Sequence, residues 1–194
     1  MRTLTLAQLA DWCDAMLVGD ERAIAALRVE AIDIDSRMVR PDSLFVALVG
    51  ERHDGHDHAA QALANGAVAL LVSRPLQIDA PQLVCGNTEV ALGRIAAGIA
   101  STRATKIIAI TGSNGKTTVK TLTHSILSQA GAARVYANPG NRNNQIGLPL
   151  ALIEQPEDTE IGIYEMGAGQ PGDIAHLTAV ARPDVALVNN IAPA

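Results

Sequence analysis

The sequence predicts an α/β chain in two parts, a small N-terminal α/β unit followed by part of a P-loop-type parallel sheet. Three observations predict it. In the first part, short apolar runs bounded by Gly, Pro or Asp alternate with helix-like segments. From residue 87 onward, a pattern of strand, glycine turn and helix repeats, which is the alternation of a parallel sheet covered by helices. Within that pattern, "IIAITGSNGKTTVKTL", Ile107 to Leu122, places an apolar run, a Gly-rich turn, a lysine and two threonines directly before a helix-like segment.

The elements follow in order. "MRTLTLAQLADWCDAML" spaces Leu4, Leu6, Leu9 and Trp12 as an amphipathic helix does, and it lacks the apolar core and small-residue cleavage site of a secretory leader. "VEAIDID" alternates apolar and acidic residues, and "SLFVALVG" and "GAVALLV" are bounded apolar runs, so all three read as strands. Between the last two, "HDHAAQALANG" reads as a helix with Asp57 as N-cap and Gly66 just past its end. "SRPLQIDAP" is a Pro-punctuated loop and "QLVCG" a short strand. The boundary is expected near Gly86, giving domains of residues 1–86 and 87–194. Asn87 or Thr88 then caps the helix "EVALGRIAAGIAS". Strands are expected at 106–111, 133–137, 160–165 and 184–189, and helices at 117–130 and 172–180.

Hydrophobic residues make up 48% of the 194, enough for a packed core, while no apolar run is long enough to span a bilayer. A cytoplasmic protein without membrane insertion is expected. Cys13 and Cys85 lack a CxxC or His-rich frame, so two buried thiols are expected rather than a disulfide or a zinc site. A formal charge of -5, no Lys/Arg block and 2% aromatic residues argue against a nucleic-acid partner, although local dipoles can still hold an anionic small molecule.

A strand ending at Thr111, the turn Gly112, Ser113, Asn114 and Gly115, and a helix opening at Lys116 and Thr117 bring backbone N–H groups and a positive helix end to one point. That arrangement binds phosphate. Lys116 would neutralise β and γ oxygens, and the Thr117 hydroxyl would hold Mg²⁺. The full G-x-x-x-x-G-K-[ST] pattern wants glycine where Ile110 stands, so only its GKT end survives. The alternative is an ordinary strand-turn-helix junction with a solvated lysine; the order of the elements favours phosphate.

"EIGIYEMGAG" ends a second strand in Glu165 and runs into Gly167 and Gly169. The carboxyl ends of parallel strands share one edge, so Glu165 is a candidate for the same metal, with helix capping or a surface position as the alternative. "NPGNRNNQIGLPLALI" carries four asparagines and Arg142; it reads as a loop, and its place on that edge makes substrate contact the second reading. "ERHDGHDHAA" offers His53, His56 and His58 beside Asp54 and Asp57 but no helical i, i+4 His pair, so a ligand-facing glycine loop is favoured over zinc.

In order, "DSRMVRPDSLFVALVGERHDGHD", "TGSNGKTTVK", "NRNNQIGLPL", "EMGAGQPGDI" and "RPDVALVNNIA" resemble the ATP-dependent Mur ligases of peptidoglycan synthesis, and within them the member that adds D-Ala-D-Ala. The resemblance covers essentially the whole chain. It implies that residues 1–86 hold the UDP part of UDP-MurNAc-tripeptide, through Ser36, Arg37, Gly50, Glu51, Arg52 and His53. It implies an ATP site made by Gly112, Ser113, Asn114, Gly115, Lys116, Thr117 and Thr118, with Mg²⁺ on Thr117 and Glu165. Lys116 and Glu165 would be the catalytic groups, and Asn141, Asn143 and Asn144 would face the substrate. The family also lacks the first glycine of the phosphate-loop pattern.

The chemistry so implied is attack of the substrate peptide's carboxylate on the γ-phosphate of ATP, then displacement of phosphate from the acyl phosphate by the amine of D-Ala-D-Ala. Family members continue through the rest of the ATPase domain and a third domain, so ligation is expected only in a longer, monomeric chain. Two other readings stay open: a non-catalytic UDP-sugar or nucleotide-binding module, and a sibling ligase adding a single amino acid.

Overall fold

The computed structural model describes residues 2–131 and 134–191, and the chain divides into two compact units, Met1–Ile95 and Ala96–Ala194. In the first unit β1 (Leu4–Thr5) runs into α1 (Leu6–Cys13), followed by β2 (Met16–Val18), α2 (Glu21–Ala26), β3 (Arg28–Val29), β4 (Ala31–Asp33) and β5 (Ser43–Val46). A 3-10 turn at Gly55–His58, α3 (Ala59–Ala64), β6 (Ala67–Val72) and β7 (Gln82–Val84) complete it. β1 pairs antiparallel with β3, and the other strands form one sheet in the order β2-β7-β6-β5-β4. Neighbours from β4 to β7 are parallel, and β2 is antiparallel to β7. Phe45, Leu70 and Val72 of that sheet are buried with Ala59 and Ala62 of α3, whose small side chains let the helix lie close on the strands.

Local chemistry explains the starts of these helices. Thr5 and Gln8 form a reciprocal capping box at α1, and Leu6, Leu9, Ala10 and Cys13 make its buried face. Leu4 belongs to β1, before that helix. The expected single strand "VEAIDID" is two: Val29 pairs with Leu4 and Ala31 with Ser43, so the chain changes sheets at Glu30. The expected cap Asp57 is also corrected. Asp54 accepts from the His56 N–H at 2.9 Å and opens the 3-10 turn, so α3 begins only at Ala59.

α4 (Thr88–Ser101) contains the division between the units. Asn87 caps it, its Oδ1 accepting from the N–H groups of Glu89 and Val90, while the Thr88 hydroxyl donates to the Ala47 carbonyl. Then come β8 (Lys106–Thr111), α5 (Lys116–Gln129), β9 (Val135–Ala137), α6 (Gly147–Glu154), β10 (Ile161–Glu165), α7 (Asp173–Ala181) and β11 (Val185–Val188). Position 133 of the expected strand at 133–137 lies outside the described residues. The four strands pair in parallel in the order β11-β8-β10-β9, so their carboxyl ends lie on one edge.

α6 occupies sequence read as loop. Every residue from Gly147 to Ile153 is buried, and a helix apolar all round shows no amphipathic period to find. Cys13 and Cys85 are free and buried. Among the described residues, no helix is long and apolar enough to cross a membrane.

Candidate active site

The turn Gly112 to Gly115 links β8 to α5. Gly115 caps the helix in the left-handed conformation, with φ of 76°, and the first intrahelical bond runs from the Val119 N–H to the Gly115 carbonyl. Helix geometry therefore leaves the N–H groups of residues 116–118 without intrahelical partners at the mouth of the turn. Gly112 has φ of 143°, and a Cβ there would come within 3.0 Å of the Asn190 N and O atoms, so the turn needs glycine for both conformation and space. Asn190 and Asn189, just past β11, brace this loop. The Ser113 N–H donates to the Asn190 carbonyl, the Asn114 N–H to Asn190 Oδ1, and Asn189 Nδ2 to the Asn114 carbonyl. Those two loop donors are thus occupied, and a ligand would meet the helix end. Lys116 Nζ folds back to donate to the Gly112 carbonyl at 2.7 Å, and Thr118 is exposed on the first turn.

Parallel pairing sets Glu165 of β10 beside Ile110 of β8, next to the turn. The carboxylate is buried, with 3% of the residue exposed. Thr117 Oγ1 donates to its Oε2 at 2.8 Å, and Asn143 Nδ2 donates to its Oε1 at 2.7 Å. Of the expected asparagines, only Asn143 reaches this carboxylate. Asn144 Oδ1 instead accepts from the Gly147 N–H at the start of α6, and the Asn141 carbonyl accepts from the Asn143 N–H. Beyond Glu165, the Asp173 carboxylate gathers the N–H groups of Gly169 and Gln170 and the Gln145 amide. Those backbone donors, foremost, hold the Asp173 carboxyl below the ordinary carboxylate range.

Two neighbours of Glu165 escaped sequence reasoning. Asn138 Oδ1 accepts from the Glu165 N–H at 2.9 Å, and Lys120, itself buried, lies with Nζ 3.7 Å from Glu165 Oε2. A signal for Lys120 was available. It stands one helical turn after Lys116 and three residues after Thr117, on the same face of α5.

One buried carboxylate and one hydroxyl beside a helix N-terminus are hard oxygen groups. They suit a small divalent cation whose other positions go to water and phosphate oxygens, as Mg²⁺ prefers. The two side chains already touch each other at the mouth of the turn, so the residues present fit Mg²⁺ bound together with a phosphate chain.

In the first unit, a cavity of about 470 Å³ is lined by Asp35, Ser36, Arg37, Phe45, His53, His58 and Gln61, among others. It brings together three expected residues, Ser36, Arg37 and His53. Gly50, Glu51 and Arg52 do not line it; they sit in the adjoining turn closed by the Gly50 N–H on the His53 carbonyl. The Ser36 hydroxyl donates to Gln61 Oε1 at 2.7 Å, and Arg37 grips Asp35 through two nitrogens, which pulls the Asp35 carboxyl down to about 2. A larger hollow of about 560 Å³, between residues 18–20 and 75–82, contains no expected residue. His56 serves the fold: buried, its Nδ1 meets Asp54 and its Nε2 accepts from the Ser73 N–H.

The model of the Mur ligase family, catalytic domain, matches residues 28–110, and that of the Mur ligase middle domain matches residues 110–194. A UDP-N-acetylmuramoyl-tripeptide--D-alanyl-D-alanine ligase of Escherichia coli is 45% identical over all of this chain, which spans 41% of that relative. The ligase of the same name from Bacillus subtilis is 40% identical over 84% of the chain and 36% of the relative. Among solved structures, MurF of Acinetobacter baumannii superposes with a TM-score of 0.91 at 35% identity, over 100% of this chain and 42% of that one. MurF of Thermotoga maritima, solved in complex with ADP, gives 0.77 at 36% identity, over 84% and 38%. The chain thus spans about two fifths of the length of the relatives it matches. With two consecutive family models running from residue 28 to 194, the chain belongs to the Mur ligase family.

Proposed function

We propose that this chain carries the UDP-sugar-binding and ATP-phosphate-binding parts of a ligase that joins D-alanyl-D-alanine to UDP-N-acetylmuramoyl-tripeptide at the expense of ATP. The observation that carries the reading is the convergence of Thr117, Glu165 and Asn143 at the open N-terminus of α5. The names of the relatives supply the substrates. The cavity around Ser36, Arg37 and His53 would take the UDP moiety, its guanidinium meeting the diphosphate charge. The N–H groups of residues 116–118, at the end of the turn Gly112 to Gly115, would take the ATP phosphates.

The reaction needs positioning and charge neutralisation more than a protein nucleophile. An oxygen of the substrate's terminal carboxylate attacks the γ-phosphorus, the bond to the β-phosphate oxygen breaks, and ADP leaves with that electron pair. The dipeptide amine then attacks the acyl carbon, inorganic phosphate departs, and the amine loses a proton as the amide forms. Lys116, whose ammonium rests on loop carbonyls, is the mobile charge for the transferring phosphoryl oxygens. Thr117 and Glu165 would hold Mg²⁺, which supplies further neutralisation of the phosphate chain.

Calorimetric titration tests both halves. Mg²⁺-ADP and UDP-MurNAc-tripeptide should each bind the parent chain. Lys116→Ala should weaken only the nucleotide, and Ser36→Ala with Arg37→Ala only the UDP ligand. Loss of both ligands in either variant, with the fold intact, would refute the division of labour. A sibling ligase adding a single amino acid is distinguished by the amine accepted in turnover by a protein of the relatives' length.

A further inference from the structure

The proposed nucleotide site has a second lysine, which neither the phosphate-loop pattern nor the expected site residues include. We infer that Lys120 is a positioning residue for the metal-assisted part of nucleotide binding, acting through Glu165 and the loop that carries Asn143. The inference rests on the reading of the phosphate turn given above.

Two of the ammonium's three donors meet loop carbonyls, and its charge faces a carboxylate. Nζ donates to the Asn138 carbonyl at 2.8 Å and to the Gly140 carbonyl at 3.2 Å, and it faces Glu165 Oε2 at 3.7 Å. Both carbonyls belong to the loop after β9. That loop closes on itself where Asn138 Nδ2 donates to the Arg142 carbonyl, then delivers Asn143 to the other Glu165 oxygen. Lys120 is 5% exposed and Asn138 1%, so water does not replace these contacts. A buried cation in such a place does two things. It compensates the Glu165 charge, and it ties the asparagine loop to the helix that starts at the phosphate turn.

The two lysines of α5 thus have different work. Lys116, half-buried at the mouth, is free to follow a phosphate, whereas Lys120 is enclosed and never needs to meet the ligand. A buried ion pair that served only stability would bear on both nucleotide complexes alike, with and without the metal. One that aims Glu165 bears on the metal-dependent complex alone.

ADP titrations of the full chain, with Mg²⁺ and with EDTA, read this difference as a ratio of affinities. The variants are Lys120→Met, Lys120→Arg, Glu165→Gln and the Lys120→Met, Glu165→Gln pair. Lys120→Met is expected to keep the EDTA affinity and to cut the Mg²⁺ enhancement by about tenfold, the worth of one charge-assisted hydrogen bond. Lys120→Arg keeps the charge but cannot seat a compact ammonium between two carbonyls, so it should also lose enhancement. On the Glu165→Gln background, Lys120→Met should have no further effect on the ratio, because the two act as a unit. Equal enhancement in parent, Lys120→Arg and any folded Lys120→Met overturns the inference and leaves the nucleotide reading standing. Additive losses in the paired variant also overturn it. If Lys120→Met fails to fold, Lys120→Arg and the paired variant, which removes both buried charges, still decide. Failure of the folded parent to bind ADP in either buffer overturns the reading and the inference together.

Discussion

Thr117→Val isolates one bond of the site. Both side chains are β-branched and nearly equal in volume, so helix propensity and packing change little and only the hydroxyl is lost. Glu165 Oε2 then forfeits its 2.8 Å donor, and what faces it is Lys120 Nζ at 3.7 Å, too far for a hydrogen bond. Hydrogen bonds to charged groups contribute about 1.5–3 kcal/mol, and a carboxylate as buried as this one gains little from water instead. For a small unit that loss corresponds to a fall of about 1 M in the urea midpoint. The chain provides a way to read it by unit: its two tyrosines, Tyr136 and Tyr164, both lie in the second, and its one tryptophan, Trp12, lies in the first. Tyrosine signals should therefore move to lower urea while the Trp12 transition stays in place, and Thr117→Ser should restore the parent midpoint. An unchanged tyrosine midpoint in Thr117→Val would refute the reasoning, because it would mean that the hydroxyl contributes nothing to holding the carboxylate.

Three further outcomes follow from the geometry. Gly112→Ala should destabilise the second unit by about 1–3 kcal/mol, the cost of forcing a side chain into a glycine-only conformation, visible at the same tyrosine probe. Asp35 has its carboxyl lowered from 3.8 to about 2 by the Arg37 hydrogen bonds. The stabilisation it contributes is therefore full above about pH 4 and is lost as pH falls through about 2. A carbon-detected NMR titration should find its midpoint near the lower value in the parent and near the ordinary one in Arg37→Gln. Burial, and secondarily Cys85, push the Cys13 thiol up to about 12. A thiol reagent at pH 8 should therefore leave Cys13 unmodified in the folded chain and label it after unfolding, and rapid labelling of the native protein would contradict its burial.

The parallel sheet and the glycine turn between β8 and α5 were legible because their signals are local. β-branched runs, glycines at the turn and the lysine-threonine pair all fall within a few residues, and the observed β8 coincides with the expected strand at 106–111. Parallel topology then suffices to carry Glu165 to the same edge. α6 was illegible for the opposite reason: its sequence is apolar on every side, so burial from all directions erased the period that would have marked it. The partition among the asparagines was hidden as well. Asn143, Asn144 and Asn138 share one composition, yet one binds the Glu165 carboxylate, one the Gly147 N–H and one the Glu165 backbone.

Lys120 shows most directly why such contacts resist sequence reading. A lysine on a helix is by default solvated, because taking its charge out of water costs several kcal/mol unless partners are supplied. Here the partners come from the loop after β9 and from the end of β10, neither adjacent to it in sequence. Spacing could place Lys120 on the same helical face as Lys116 and Thr117, but not say that three oxygens wait there. The physical default for a charged side chain is thus reversed at the point where the fold gathers compensating groups. Such a reversal, beside the turn proposed to hold phosphate, is where a residue's effect on metal-assisted binding is worth measuring before its effect on stability.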